Sequence, residues 1–133
     1  MSKETIAKAT IGAINYRVTI AAGDNTIVAD EPIDSGGGNA GFSPSQLLVS
    51  SLGACTVITL RMYTARKQWN VGDITVDLSM ITEKGDTQIH RAISYSNLVS
   101  DEQKHRLIQI ADKCPIHNIL TGKITISTHT VTN

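Results

Sequence analysis

Two cysteines and a histidine close to one of them carry the chain's clearest potential for chemistry. Cys55 lies in GFSPSQLLVSSLGACT (41–56). Cys114 and His117 lie in KCPIHN (113–118). A thiolate is a nucleophile and a metal ligand. Two thiols can also be joined as a disulfide when their Cα atoms come within about 7 Å. A cysteine in the middle of a helix gains nothing from a helix N-terminus, and apolar surroundings raise its pKa, so a reactive Cys55 needs a cation nearby. Cys114 precedes Pro115, at the expected N-cap of a short helix, where backbone N–H groups and the helix dipole favour a thiolate. Both also read as packing, since free cysteine is among the most buried residue types. Cys55, Cys114 and His117 could be counted as three metal ligands, but C-x-x-H matches no zinc spacing, and neither metal nor cofactor is expected. His90, His105 and His129 fall on strands or a polar helix face and read as surface residues.

The elements that must position these thiols are legible from capping and periodicity. Ser43 is a good N-cap, Pro44 suits the first helical position, and Gln46 completes an S-x-x-Q capping box. The helix runs to about Lys67. Its charges, Arg61, Arg66 and Lys67, all fall in the last two turns, where they suit the dipole. The uncharged stretch Leu47 to Leu60 is apolar on nearly every side, and such a helix must be covered on every side. A second subunit is the simplest cover. Ser100 and Gln103 form another capping box, with Asp101 and Glu102 in the first turn and Leu107, Ile108, Ile110 and Ala111 on the apolar face. Pro115 ends that helix, PIHNILT (115–121) forms a further short turn of helix, and Gly122 stops it.

Strand-like runs flank these helices. They are TIAKATIG (5–12), NYRVTIAA (15–22) and NTIVADEPI (25–33), with a turn at AGDN (22–25). DITVDLSMITEK (73–84) and QIHRAISYSN (88–97) form a hairpin turning at GDT (85–87), and KITISTHTVT (123–132) reads as a last strand. The order is β-β-β-α-β-β-α-β, an α+β chain forming a single domain over 1–133. Gly36, Gly38 and Gly41 spell G-x-G-x-x-G. However, the helix starts only at Pro44, and Arg61, Arg66 and Lys67 stand where a dinucleotide site needs an acid, so DSGGGNAGF (34–42) reads as a loop.

Composition narrows the function classes. Twelve basic residues balance twelve acidic ones. No basic patch suggests nucleic acid, and no basic amphipathic stretch suggests a membrane surface. The N-terminus lacks the apolar core of a secretory signal. The stretch 47–60 is too short and too rich in Ser and Thr to cross a bilayer. A cytoplasmic location is expected. There a permanent structural disulfide is not expected, leaving buried thiols or a redox pair.

The sequence resembles the OsmC/Ohr family of organic hydroperoxide reductases. The resemblance rests on S-P-S-Q-L-L-x-x-S-L-G-A-C-T (43–56), on K-C-P-I-H-N-I-L (113–120) and on the element order, and G-G-G-N-A-G-F-S-P looks closer to the broad OsmC-like branch. It implies an intertwined homodimer with the long helices between sheets. It implies that Cys55 attacks the O–O bond of an organic hydroperoxide, giving a sulfenic acid that Cys114 resolves to a disulfide. A dihydrolipoyl-type reductant would restore the thiols. The family pairs an arginine with a carboxylate beside the peroxidatic thiol. The carboxylate positions are held here by Ser45 and Gln46, neither of which carries charge. Arg17 is the only arginine in the N-terminal strand region, and Asp30, Glu31 or Asp34 could stand in for the acid. The leading reading is a Cys-based peroxidase acting through Cys55 and Cys114, with Arg17 and Gln46 assisting. The alternative is a non-catalytic OsmC-like dimer that binds an apolar small molecule or senses redox state. A metal or thiol-transfer protein is the third.

Overall fold

The computed structural model describes residues 3–131. The chain divides into two compact units, residues 1–48 and 49–133. In the first, β1 (Lys8–Ile11), β2 (Val18–Ala22) and β3 (Asn25–Ala29) form an antiparallel meander. The β2–β3 turn falls at Gly23 and Asp24, and Ala22 pairs with Asn25. All three strands are shorter than the runs read from the sequence. Pro32 cannot extend a ladder, and a short 3-10 turn, Ile33–Ser35, follows it. Among the described residues of this unit only Ala29 and Asp30 are buried, while Ile6, Ile11, Ile14 and Ile27 stay open.

The second unit holds a long hairpin and three helices. α1 spans Pro44–Lys67, starting in the first unit, and its capping box is present as expected. The Ser43 N–H donates to Gln46 Oε1 at 3.0 Å, and the Gln46 N–H donates to Ser43 Oγ at 3.3 Å. β4 (Ile74–Glu83) and β5 (Asp86–Tyr95) pair antiparallel from Ile74↔Tyr95 to Glu83↔Asp86. That register places the turn at Lys84-Gly85, earlier than the expected 85–87. A two-residue hairpin turn of type I′ needs positive φ at both positions, and Lys84 (52°) and Gly85 (84°) supply it. α2 (Asp101–Ala111) has the full Ser100/Gln103 capping box, and α3 (Pro115–Thr121) follows.

The core lies in this unit, where Leu60 and Tyr63 of α1 pack with Val71, Val99, Leu107, Ile110 and Ala111. At Gly53 the helix lies so close to β4 that a Cβ there would strike Leu78, which fixes the level of Cys55 two residues on. α1 buries Leu52, Gly53, Thr56, Leu60, Tyr63 and Thr64 but leaves Ile58 (53%) and Met62 (68%) exposed. The helix expected to need cover on every side is therefore covered by its own chain on one side only. By length and composition its 24 residues would suffice to cross a bilayer, a test that 47–60 alone did not pass and that the central helix of a folded domain also meets.

The expected last strand is the main correction to the fold. Among the described residues, 123–131 pair with no strand, and Ile124, Ile126 and Val131 are exposed; Thr132 lies outside the described residues. Alternation gives a segment two faces but no partner, and a strand exists only where another edge accepts its N–H and C=O groups.

Candidate functional site

α1 and α3 bring the two cysteines together. Cys55 is half-buried on α1, and Cys114 is fully buried at the N-cap of α3. Cys114 has φ −66° and ψ 138°, the extended backbone that a following proline demands. Its Sγ accepts the His117 N–H at 3.3 Å, and Cys55 Sγ accepts the Ile116 N–H at 3.5 Å. Both sulfurs thus face the first turn of α3, and the two thiols interact directly with each other. Both are free thiols. Loss of hydration pushes the Cys55 thiol above its ordinary value. The Ile116 N–H opposes that rise, and the neighbouring Cys114 adds to it. None of the groups acting most strongly on Cys55 is a cation, so the one that a reactive mid-helix thiol requires is not among them.

A guanidinium stands one residue away, and the sequence reading missed it. Arg91 lies on β5 in phase with Ile89, Ile93 and Tyr95, on the inward side of the alternation. Its Nη1 donates to Thr56 Oγ1 at 3.0 Å and to the Ala111 carbonyl at 3.1 Å. Its Nη2 donates to Asp112 Oδ1 at 2.8 Å and meets His117 Nδ1 at 3.2 Å. Its side chain is 14% exposed. The period-2 phase of QIHRAISY was the available signal: an arginine on the apolar side of a strand needs partners. His117, set aside as a metal ligand, belongs to this cluster. Among the described residues no group of three His, Cys, Asp or Glu side chains is gathered to hold a metal ion. A cavity of about 220 Å³ beside the cluster is lined by Leu52, Ile89, Arg91, His117 and Leu120, and neither sulfur lines it. His90, His105 and His129 are exposed, as expected.

The first unit holds the other two expected site residues. Arg17 is exposed, just before β2. Among the acids that could pair with it, Asp30 feels its charge. Asp30 accepts the N–H groups of Glu31 (2.8 Å), Gly38 (3.2 Å) and Ala40 (3.1 Å). Those backbone bonds, Ala40 foremost, hold its carboxyl below the usual carboxylate range, with Arg17 adding a smaller push. The glycine run is therefore an ordered wrap around a buried carboxylate. A Cβ at Gly37 would strike the Glu31 carbonyl, and one at Gly41 the Val28 carbonyl. Gln46 uses its side-chain oxygen to cap α1.

A family model described as OsmC-like protein matches residues 36–129. No curated protein matches the chain. Among solved structures, a putative osmotic stress induced and detoxification response protein from Psychrobacter arcticus is 21% identical, with TM-score 0.76 over 90% of each chain. An OsmC like protein from Mycoplasma pneumoniae is also 21% identical, with TM-score 0.73 over 92% of this chain and 90% of that one. An organic hydroperoxide resistance protein OsmC from Legionella pneumophila is 21% identical, with TM-score 0.64 over 90% of each. At these identities the likeness is one of fold.

Proposed function

The chain belongs to the OsmC-like protein family, and from that premise we propose that it is a cytoplasmic, thiol-dependent peroxidase for organic hydroperoxides that needs no cofactor. The observation that carries this reading is the meeting of Cys55 and Cys114 at the first turn of α3. The Cys55 thiolate attacks the terminal, hydrogen-bearing oxygen of the hydroperoxide. The O–O bond breaks, the alcohol leaves after taking a proton, and Cys55 becomes a sulfenic acid. The Cys114 thiol attacks that sulfur, water leaves, and the Cys55–Cys114 disulfide remains. A dihydrolipoyl-type dithiol returns both thiols by exchange. Exposed Ile58 and Met62 on α1, and the open apolar residues of the first unit, support a homodimer in which a second copy covers them.

Activation of Cys55 is the demanding step, because burial raises its pKa. The reading assigns that role to Arg17, with Asp30 in place of the carboxylate missing at Ser45 and Gln46. If Arg17 supplies the charge, the hydroperoxide rate reaches its plateau below the ordinary thiol value of about 9. If burial alone rules, the rate climbs on past that value, because a raised pKa delays the thiolate. A second reading, a non-catalytic dimer binding an apolar ligand, is favoured by that same raised pKa.

Intact mass of the reduced protein after one equivalent of cumene hydroperoxide separates the two, with hydrogen peroxide alongside. The peroxidase loses two hydrogens quickly with the organic peroxide. Cys55→Ser abolishes the loss, and Cys114→Ser stops at a sulfenic acid. Equally slow oxidation by both peroxides would dismiss the peroxidase and leave the ligand-binding dimer.

A further inference from the structure

Arg91 has four partners on three elements besides its own strand. Thr56 is on α1, next to Cys55 in the chain, and is fully buried; its own hydroxyl donates to the Leu52 carbonyl at 2.7 Å. The Ala111 carbonyl and Asp112 lie at the end of α2, and His117 lies in the first turn of α3. Cys114 sits between Asp112 and His117, so both ends of the short segment bearing it are tied to one guanidinium. The same guanidinium is tied to α1 beside the other cysteine. His117 contributes twice: its backbone N–H bonds Cys114 Sγ and its ring meets Arg91. Ile116, whose N–H bonds Cys55 Sγ, is the neighbouring residue.

The geometry points to Arg91 as the positioning residue of the cysteine pair: by bridging Thr56 to the 111–117 segment, it sets how closely the two sulfurs approach. This deepens the peroxidase reading by naming what holds its resolving step ready, and rests on it only in taking the two cysteines as a redox pair. The planar fork suits the role. Two of its nitrogens serve four acceptors in fixed directions, which a lysine ammonium on a flexible stem cannot reproduce. The guanidinium bonds to Thr56, Ala111, Asp112 and His117 rather than to either sulfur, and acts through position.

The test needs no hydroperoxide. The full chain is equilibrated in glutathione and glutathione disulfide buffers, free thiols are trapped, and the disulfide is counted by mass. In that exchange one glutathione disulfide oxidises Cys55 and Cys114 and leaves as two glutathione thiols. Arg91→Met lowers the equilibrium constant for the Cys55–Cys114 disulfide about tenfold, which raises its reduction potential by about 30 mV. Arg91→Lys remains at least about threefold low, since charge without the fork restores one link at most. Thr56→Val, which leaves Arg91 its other three partners, lowers the constant about threefold and serves if Arg91→Met fails to fold. A purely structural arginine would lower the melting temperature and leave the constant unchanged, and that result overturns the proposal. So does a wild-type constant in Arg91→Lys or Thr56→Val. A wild-type chain that forms the disulfide with glutathione but not with cumene hydroperoxide removes the peroxidase reading and keeps Arg91's role. A chain that forms no such disulfide in any buffer overturns both.

Discussion

Asp30 and Arg91 are both charged side chains taken out of water, and the chain satisfies them in opposite ways. Asp30 draws its three N–H donors from one, eight and ten residues along the chain. Arg91 draws its acceptors from 35, 20, 21 and 26 residues away. The anion is wrapped by a local glycine loop whose backbone supplies the donors. The cation is met by four side-chain and backbone acceptors that come together only when β5 and three helices pack. A local hub orders one loop. A non-local hub transmits its loss to every element it joins, and two of those elements carry the cysteines.

The largest expected effect comes from breaking the non-local hub. Arg91→Met leaves Thr56, the Ala111 carbonyl and Asp112 without their donor. It should cost about 2–3 kcal/mol in urea unfolding, below the range for a fully buried pair because Asp112 is half-exposed. A loss within about 0.5 kcal/mol would mean that the four contacts are dispensable and the contrast is empty.

Breaking the local hub has a smaller effect, and a pH signature identifies it. The folded-state pKa of Asp30 is depressed, so its stabilisation is fully present above the unfolded value of about 3.8. It fades as pH falls through that value toward the folded one. Asp30→Asn should flatten the acid limb of the unfolding curve between about pH 5 and pH 2, read by circular dichroism. Equal acid sensitivity in the two proteins would remove Asp30 from the account.

Tyr63 offers the finest comparison, because local and non-local cations meet on one ring. Arg66 and Lys67 lie over it from its own helix, and Arg106 reaches it from α2, with Nε 3.1 Å from the hydroxyl. Its pKa is lowered, by the Arg106 hydrogen bond first, whereas burial raises that of Tyr95. Ultraviolet titration should show Tyr63 ionising before Tyr95. Arg106→Met should move Tyr63 back further than Lys67→Met does. The reverse order would make the local charges dominant and blunt the contrast drawn from Asp30 and Arg91.

Local rules read much of this protein from the sequence alone. Both capping boxes, the start and end of the long helix, the break at Pro115 and the N-cap position of Cys114 depend on neighbours within about four residues, so residue types suffice. The two cysteine motifs likewise marked the residues that the fold brings together. Tertiary structure alone decided the rest. Arg91 became a hub because a strand's phase says which side chains point inward, not what they meet there. The glycine run became a wrap because its partner is a single carboxylate before it, and composition alone reads such a run as loose. Residues 123–131 have a strand's alternation and no strand's pairing, because a hydrogen-bonded edge belongs to the partner as much as to the segment. Whether two thiols 59 residues apart in the sequence can touch is a property of packing, set here by Gly53 of α1 against β4 and by Arg91 between the helices.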